Sequence, residues 1–231
     1  MSPDPNLVLR TCTTTDIPAL AAVKHASFTA PRTKIMYRDV TTKDKYKLLE
    51  ESLRREFASP SNSAHPQSVN FLCVVDTTTA DIISYATWIY LPNGYLASED
   101  ADTQHPWLPP GINVKLVRDF DRMTAELRSA DPGRKEAHWL LSMLATHPKH
   151  EGRGAGSMLI KWAFPKADDM GLRCYVDANV AGYPVYKKKG FGKDVGVMDL
   201  DLGNYEGGEE YGVQRWVAMM REPEKVHDET G

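Results

Sequence analysis

One stretch limits the fold of this chain more than any other: Leu140-Leu-Ser-Met-Leu-Ala-Thr-His-Pro-Lys-His-Glu-Gly-Arg-Gly-Ala-Gly-Ser-Met-Leu159. It reads as an apolar strand, a turn with alternate glycines and the start of an amphipathic helix. Glycines at 152, 154 and 156 leave the backbone N–H groups uncovered, and the first turn of a helix has donors without partners inside the helix. The helix macrodipole adds partial positive charge at the same end, so the turn suits a phosphate held by main chain, with Arg153 as a salt partner. Two nucleotide-binding patterns are excluded. A dinucleotide fingerprint needs G-x-G-x-x-G where this turn is G-x-G-x-G, and the P-loop pattern G-x-x-x-x-G-K-[ST] is absent.

With 231 residues, 42% of them hydrophobic and 26% charged, the chain is long and apolar enough to bury a full core, and residues 1–231 read as one domain. A formal net charge of −3 gives no electrostatic case for nucleic acid or an anionic membrane as partner, so a small ligand is expected. The start, Met-Ser-Pro-Asp-Pro-Asn, lacks a basic segment followed by an apolar run, and no later stretch approaches a membrane span in length, so a cytoplasmic location is expected. Cys12, Cys73 and Cys174 are far apart and have no metal-type spacing. They read as buried free thiols, and no metal site is expected.

Along the chain, Leu7–Thr13 is a short β-type run and Thr15-Asp16-Ile17-Pro18 a helix start, with a helix to about Phe28. The polar stretch Thr29–Thr42 reads as a loop before a second helix, Lys43–Phe57. Asn70–Asp76 and Asp81–Tyr90 read as antiparallel neighbours. Residues 93–135 look like an insertion that covers a substrate site or packs on the surface, with a helix over Asn113–Ser129 whose inner side is Val114, Val117, Phe120, Met123 and Leu127. His138–Thr146 is the strand feeding the glycine turn. Pro165 should end or kink the following helix near Phe164. A strand at Arg173–Asp177, a short helix at Tyr183–Lys188 and a hairpin of Gly196–Leu202 with Val213–Met220 complete an α+β pattern.

Thr146-His-Pro, Glu151-Gly-Arg-Gly-Ala-Gly and, downstream, Asn179-x-x-Gly-x-x-Val-Tyr186-x-Lys-x-Gly190-Phe191 together resemble the GNAT (Gcn5-related) acetyltransferase superfamily, from about residue 138 to 192. The resemblance implies a central, mostly antiparallel, splayed sheet flanked by helices, acetyl-CoA in the splay, and transfer of acetyl to an amine. Gly152, Arg153, Gly154, Ala155 and Gly156 match the family's pyrophosphate-binding turn, Leu144 and Thr146 match strand positions that pair with the pantetheine arm, and Asn179 matches a cofactor-contacting asparagine. Tyr186 matches the tyrosine proposed to protonate the CoA thiolate, a role open to a phenol with a reference pKa of about 10. Glu151 departs from the family's Arg or Gln. At about 5 Å from a phosphate charge and an effective dielectric near 20 its carboxylate would be repelled by roughly 3 kcal/mol, so it should turn outward, towards Lys149 or Arg153.

A primary amine with a pKa of about 10.4 is neutral in only about one molecule in 2,500 at pH 7, so direct attack benefits from a base or a water relay. Glu136, His138 and Asp177 are candidates, with His138 the first choice beside a water relay. Cys174 has no partner arrangement for nucleophilic catalysis. The acidic clusters Glu99-Asp100-Asp102, Asp119/Asp121 and Glu206/Glu209/Glu210 either attract a cationic amine or are solvated faces. A small-molecule amine is the expected acceptor, in a monomer or homodimer. A protein N-terminus or lysine is the enzyme-class alternative, and an acetyl-CoA-binding sensor or scaffold without turnover is the competing class.

Overall fold

The computed structural model describes residues 4–58, 68–95 and 108–224. One seven-stranded sheet runs through the molecule. Its strands are β1 (Leu7–Thr11), β2 (Ser68–Asp76), β3 (Ile82–Leu91), β4 (His138–Thr146), β5 (Arg173–Asn179), β6 (Lys193–Asp201) and β7 (Val213–Arg221), in the spatial order β1-β2-β3-β4-β5-β7-β6. Every neighbouring pair is antiparallel except β4 with β5. The expected α+β class and mostly antiparallel sheet are what the chain forms.

The helices cover both faces. On one lie α1 (Ile17–Ser27), α2 (Pro31–Met36), α3 (Thr42–Ala58) and α4 (Val114–Ala130). Ile17, Leu20 and Ala21 of α1 and Leu49 and Leu53 of α3 pack with Phe71, Tyr85 and Ala145 of the sheet. On the other lie α5 (Ala155–Lys161), α6 (Phe164–Asp169) and α7 (Tyr183–Lys187), whose Leu159, Phe164 and Tyr186 pack with Trp88, Leu141 and Val176. The Trp88 indole donates to the Leu159 carbonyl at 2.9 Å and so fixes α5 over β3.

Two local expectations need correction, and a third is made more definite. The stretch Thr29–Thr42 is not all loop: Pro31 opens the short α2, where its missing N–H falls on a donor that would be unpaired anyway. The helix after the glycine turn ends near Phe164, as expected. It stops at Lys161 and restarts at Phe164, with Pro165 in the first turn of α6. Val114, read as inward, is exposed, and Leu116 is buried in its place beside Val117 and Leu127, which are buried as expected. Of the insertion at 93–135, residues 96–107, and with them Glu99, Asp100 and Asp102, lie outside the described residues. The described part is anchored inward, since Arg128 and Arg134 each hold Asp177 of β5 at 2.6 Å.

Candidate active site

The two central strands part company halfway along. Pairing between β4 and β5 runs from His138 with Arg173 to Leu141 with Val176 and stops there. The cause lies in β4. Thr87 of β3 faces Met143 and Trp88 faces Leu141, so Ser142 is an extra residue and makes a bulge. Because side chains alternate along a strand, one extra residue changes which face each subsequent side chain takes. Trp139 and Leu141 belong to the α5 side, whereas Met143 and Ala145 belong to the α1 side and Leu144 takes over towards α5. Past the bulge, the β5-facing edge of Met143–Thr146 has no strand partner, and this is the expected splay.

The glycine turn sits at its end. Gly152 has φ +77° and Gly154 has φ +98°, conformations that a side chain strains, and a Cβ at Gly152 would meet nothing within 4 Å. The first backbone bond of α5 runs from Met158 N to the Gly154 carbonyl at 3.1 Å. The N–H groups of Gly154, Ala155, Gly156 and Ser157 therefore have no acceptor within the helix. A Cβ on Gly156 would lie 3.6 Å from the Thr146 hydroxyl, so turn and strand end adjoin. Thr146 is itself held, its hydroxyl 2.8 Å from that of Ser84, which donates to the Ala145 carbonyl.

Arg153 is not placed as a phosphate partner. Its guanidinium holds Asp76 at 2.6 Å and Asp4 at 2.8 Å, and its carbonyl accepts from Asp4 N. Hydrogen bonds from Thr78 and then from Arg153 bring the Asp76 carboxyl down to about 2. The side chain staples the turn to the β1–β2 corner and leaves main-chain N–H groups to face a ligand. Glu151 is exposed, as expected, yet it pairs with neither Lys149 nor Arg153 among the described residues.

At the far wall, Asn179 ends β5, and its side-chain carbonyl accepts from Gly182 N at 2.8 Å, which shapes the entry into α7. The Tyr186 ring lies over Gly182, where an added Cβ would be 2.8 Å from it, and meets Phe191 edge-on at 5.8 Å. Burial, then the charge of Asp177, pushes the phenol above its ordinary value, so it stays protonated. Leu144, Thr146, the turn 152–156, Asn179 and Tyr186 are thus gathered around the splay.

The proposed bases are not. His138 is fully buried at the closed end of β4, roughly 20 Å along the strand from Leu144 at about 3.3 Å per residue. Its Nδ1 is 2.8 Å from the Glu136 carbonyl, its ring meets Tyr175 edge-on, and burial lowers its pKa. Glu136 pairs with Arg173 at the same end. Asp177 does face the splay region, but both its oxygens are held by Arg128 and Arg134, and its pKa stays below the ordinary value despite burial. Among the described acidic residues, Asp119 is engaged by Lys115, Arg122 and Tyr205, and Glu206 by Arg38.

A surface depression of about 480 Å³ between α4 and β6 is lined by Lys115, Asp119, Arg122, Asp199 and Tyr205, none of them from the glycine turn. Cys12, Cys73 and Cys174 are buried and free. Among the described residues one group of metal-capable atoms occurs, Cys12, Asp16 and Cys73, and Asp16 is already gripped by both arms of Arg10. No described helix is long and apolar enough to cross a membrane.

Two features escape a reading of the sequence. The bulge at Ser142 has a faint signal, one polar residue inside Leu-Leu-Ser-Met-Leu-Ala. The staple has none, because Asp4 and Asp76 are far from Arg153 in sequence.

Residues 79–191 match the model of the acetyltransferase (GNAT) family, whose members use acetyl-CoA as acyl donor. No curated protein matches the chain. Among solved structures, arylalkylamine N-acetyltransferase 2 of the mosquito Aedes aegypti is 14% identical with a TM-score of 0.63, over 95% of this chain and 100% of that one. A mosquito arylalkylamine N-acetyltransferase-like protein is 18% identical with a TM-score of 0.57, over 94% and 99%. A histone acetyltransferase-related protein of Corynebacterium glutamicum is 16% identical with a TM-score of 0.54, over 98% and 99%.

Proposed function

We propose, for a chain whose residues 79–191 form a GNAT acetyltransferase domain, that it moves an acetyl group from acetyl-CoA to the amine of a small molecule in the splay between β4 and β5. One observation supports this above the rest. The β4–β5 pairing ends at Leu141 and Val176, so an open strand edge lies between the turn's uncovered N–H groups and Tyr186. Main-chain N–H groups of Gly152–Ser157 hold the pyrophosphate at a helix N-terminus, and Asn179 steadies the cofactor from the β5 wall. The Met143–Thr146 edge receives the amide-bearing arm as an added strand would be received.

In the transfer, the amine nitrogen attacks the thioester carbon, the carbon–sulfur bond breaks, and the sulfur leaves with the bonding pair. Tyr186 gives it a proton, a role suited to a phenol kept neutral by burial. The proton lost by the amine goes to water, because Asp177 is held by two arginines and His138 lies at the other end of the strand. The small acceptor is favoured by α2 and α4, which pack together through Ile35, Met36, Leu116 and Val117 and wall that face. The likeness to a mosquito enzyme named for arylalkylamines supports the same size class.

Release of CoA thiol over a panel of amines, aminosugars, polyamines and short peptides, with mass detection of the acetylated product, tests the reading. Turnover with a small amine is expected, falling about a hundredfold in Tyr186→Phe while acetyl-CoA affinity is kept. Tight CoA binding without any acetylated acceptor would favour a sensor or scaffold.

A further inference from the structure

On the side of the sheet opposite α5, two cations stand on the helices that pack beside the splay. α1 packs on Tyr85 of β3 and on Met143 and Ala145 of β4, the wall on one side of the gap, and Lys24 stands on its last turn. Arg32 of α2 stands by the other wall. Its guanidinium is 4.0 Å from the ring centre of Phe120 and 5.9 Å from that of Trp216. Trp216 pairs directly with Asn179, the last residue of β5. Both cations are half-buried, and the charge of Arg32 is felt at Lys24.

Among the described residues neither has a carboxylate within ion-pair distance. Arg122, Arg128, Arg134, Arg215 and Arg221, from α4 to β7, all hold one. Arg32 donates only to the Met36 sulfur, at 3.6 Å. The acids that act on the two cations, Glu56 on Lys24 and Asp121 on Arg32, do so from farther away. Two like charges set into protein without a counter-charge are unfavourable, and an anion between them removes that penalty. Phe120 lies against the guanidinium, and Trp216, edge-on to Phe120 at 5.1 Å, lies on the same side, so N–H groups of Arg32 are left for a planar pair of oxygens. A plain cationic amine would be repelled here.

We propose that the acceptor is an amino carboxylate, with its carboxylate received by Arg32 and Lys24 and its amine turned to the splay; this rests on the acetyl-transfer reading above. The anion offsets the repulsion between the two side chains, and the distance between its two ends sets which nitrogen meets the thioester.

The test compares matched pairs that differ by one carboxylate: alanine with ethylamine, leucine with 3-methylbutylamine, and phenylalanine with phenethylamine. kcat/KM is measured in the wild type, Lys24→Gln, Arg32→Gln and Arg32→Lys. Calorimetry with the corresponding N-acetyl amino acids in the presence of CoA gives a readout that needs no turnover, and CoA binding by each variant checks that it folds. The amino acid is expected to be preferred in at least one pair. That preference should drop at least about tenfold in Arg32→Gln, drop in Lys24→Gln, and return in part in Arg32→Lys. Binding of the N-acetyl amino acid should weaken in parallel. Preference for the decarboxylated amine in every pair, or a preference that Arg32→Gln leaves unchanged, would overturn the subsite while leaving acetyl transfer standing. N-acetyl amino acids bound through Arg32 without turnover of any amine would uphold the subsite and sink the transfer. Failure of every amino and N-acetyl amino acid to react or bind would sink the proposal.

Discussion

His138 shows how a residue with a suitable ordinary pKa is disqualified by its place. It is sealed at the paired end of β4, and burial, only partly offset by the Glu136 carbonyl, lowers its pKa. The folded chain therefore takes up this proton less readily than the unfolded chain. Stability contributed by neutral His138 is present above the ordinary value of 6.5 and is lost as pH falls below it, by up to about 1.4 kcal/mol per pH unit until the folded value is reached. Denaturant unfolding at pH 7.0 and 5.5 should show a smaller loss on acidification in His138→Gln than in the wild type; equal losses would count against this. The same variant should leave the pH profile of turnover without a change near 6.5. Nothing local in Ala137-His138-Trp139 shows on which end of the gap the residue lies, whereas Tyr186 and Asn179 were legible because they fall in the motif that resembles the family.

The elements at the splay divide in the same way. β4 was readable to its limits, His138–Thr146, because an apolar run meets glycine and proline chemistry at one end. Its bulge was not, since pairing with β3 decides that Ser142 is the extra residue. Deleting Ser142 restores continuous alternation to the strand, turns the side chains after it to the opposite faces and should abolish CoA binding, read by calorimetry. A deletion variant that folds and binds CoA as the wild type does would disconnect the bulge from the splay. The turn is likewise an element with a distant support. If Arg153 works as a staple, Asp76→Asn should leave CoA binding unchanged or weaken it, because the freed turn loses its anchor on β2. Tighter binding in Asp76→Asn would mean that the released guanidinium reaches the phosphates after all.

At the scale of the whole molecule, two helical layers divide the work across one open sheet. The α5 side supplies uncovered N–H groups, while the α1, α2 and α4 side is the one proposed to receive the acceptor, and both flank the point where β4 leaves β5. The insertion belongs to this plan through the Arg128–Asp177–Arg134 cluster, which ties α4 and the segment after it to β5. Breaking into such a cluster leaves a buried charge uncompensated, so α4 is held in place against β5. The strands, helices and a phosphate-type turn could be read from apolar period and glycine spacing, and the splayed sheet and coenzyme A from the family resemblance; the tying of α4 to β5 and of the turn to β2 rests on contacts between distant parts of the chain. Amide NMR during a CoA titration of the isotope-labelled protein tests the central claim most directly. The largest shifts are expected at Gly152–Ser157, along Met143–Thr146 and at Asn179; shifts confined to the α4–β6 depression, or absent from the turn, would contradict it.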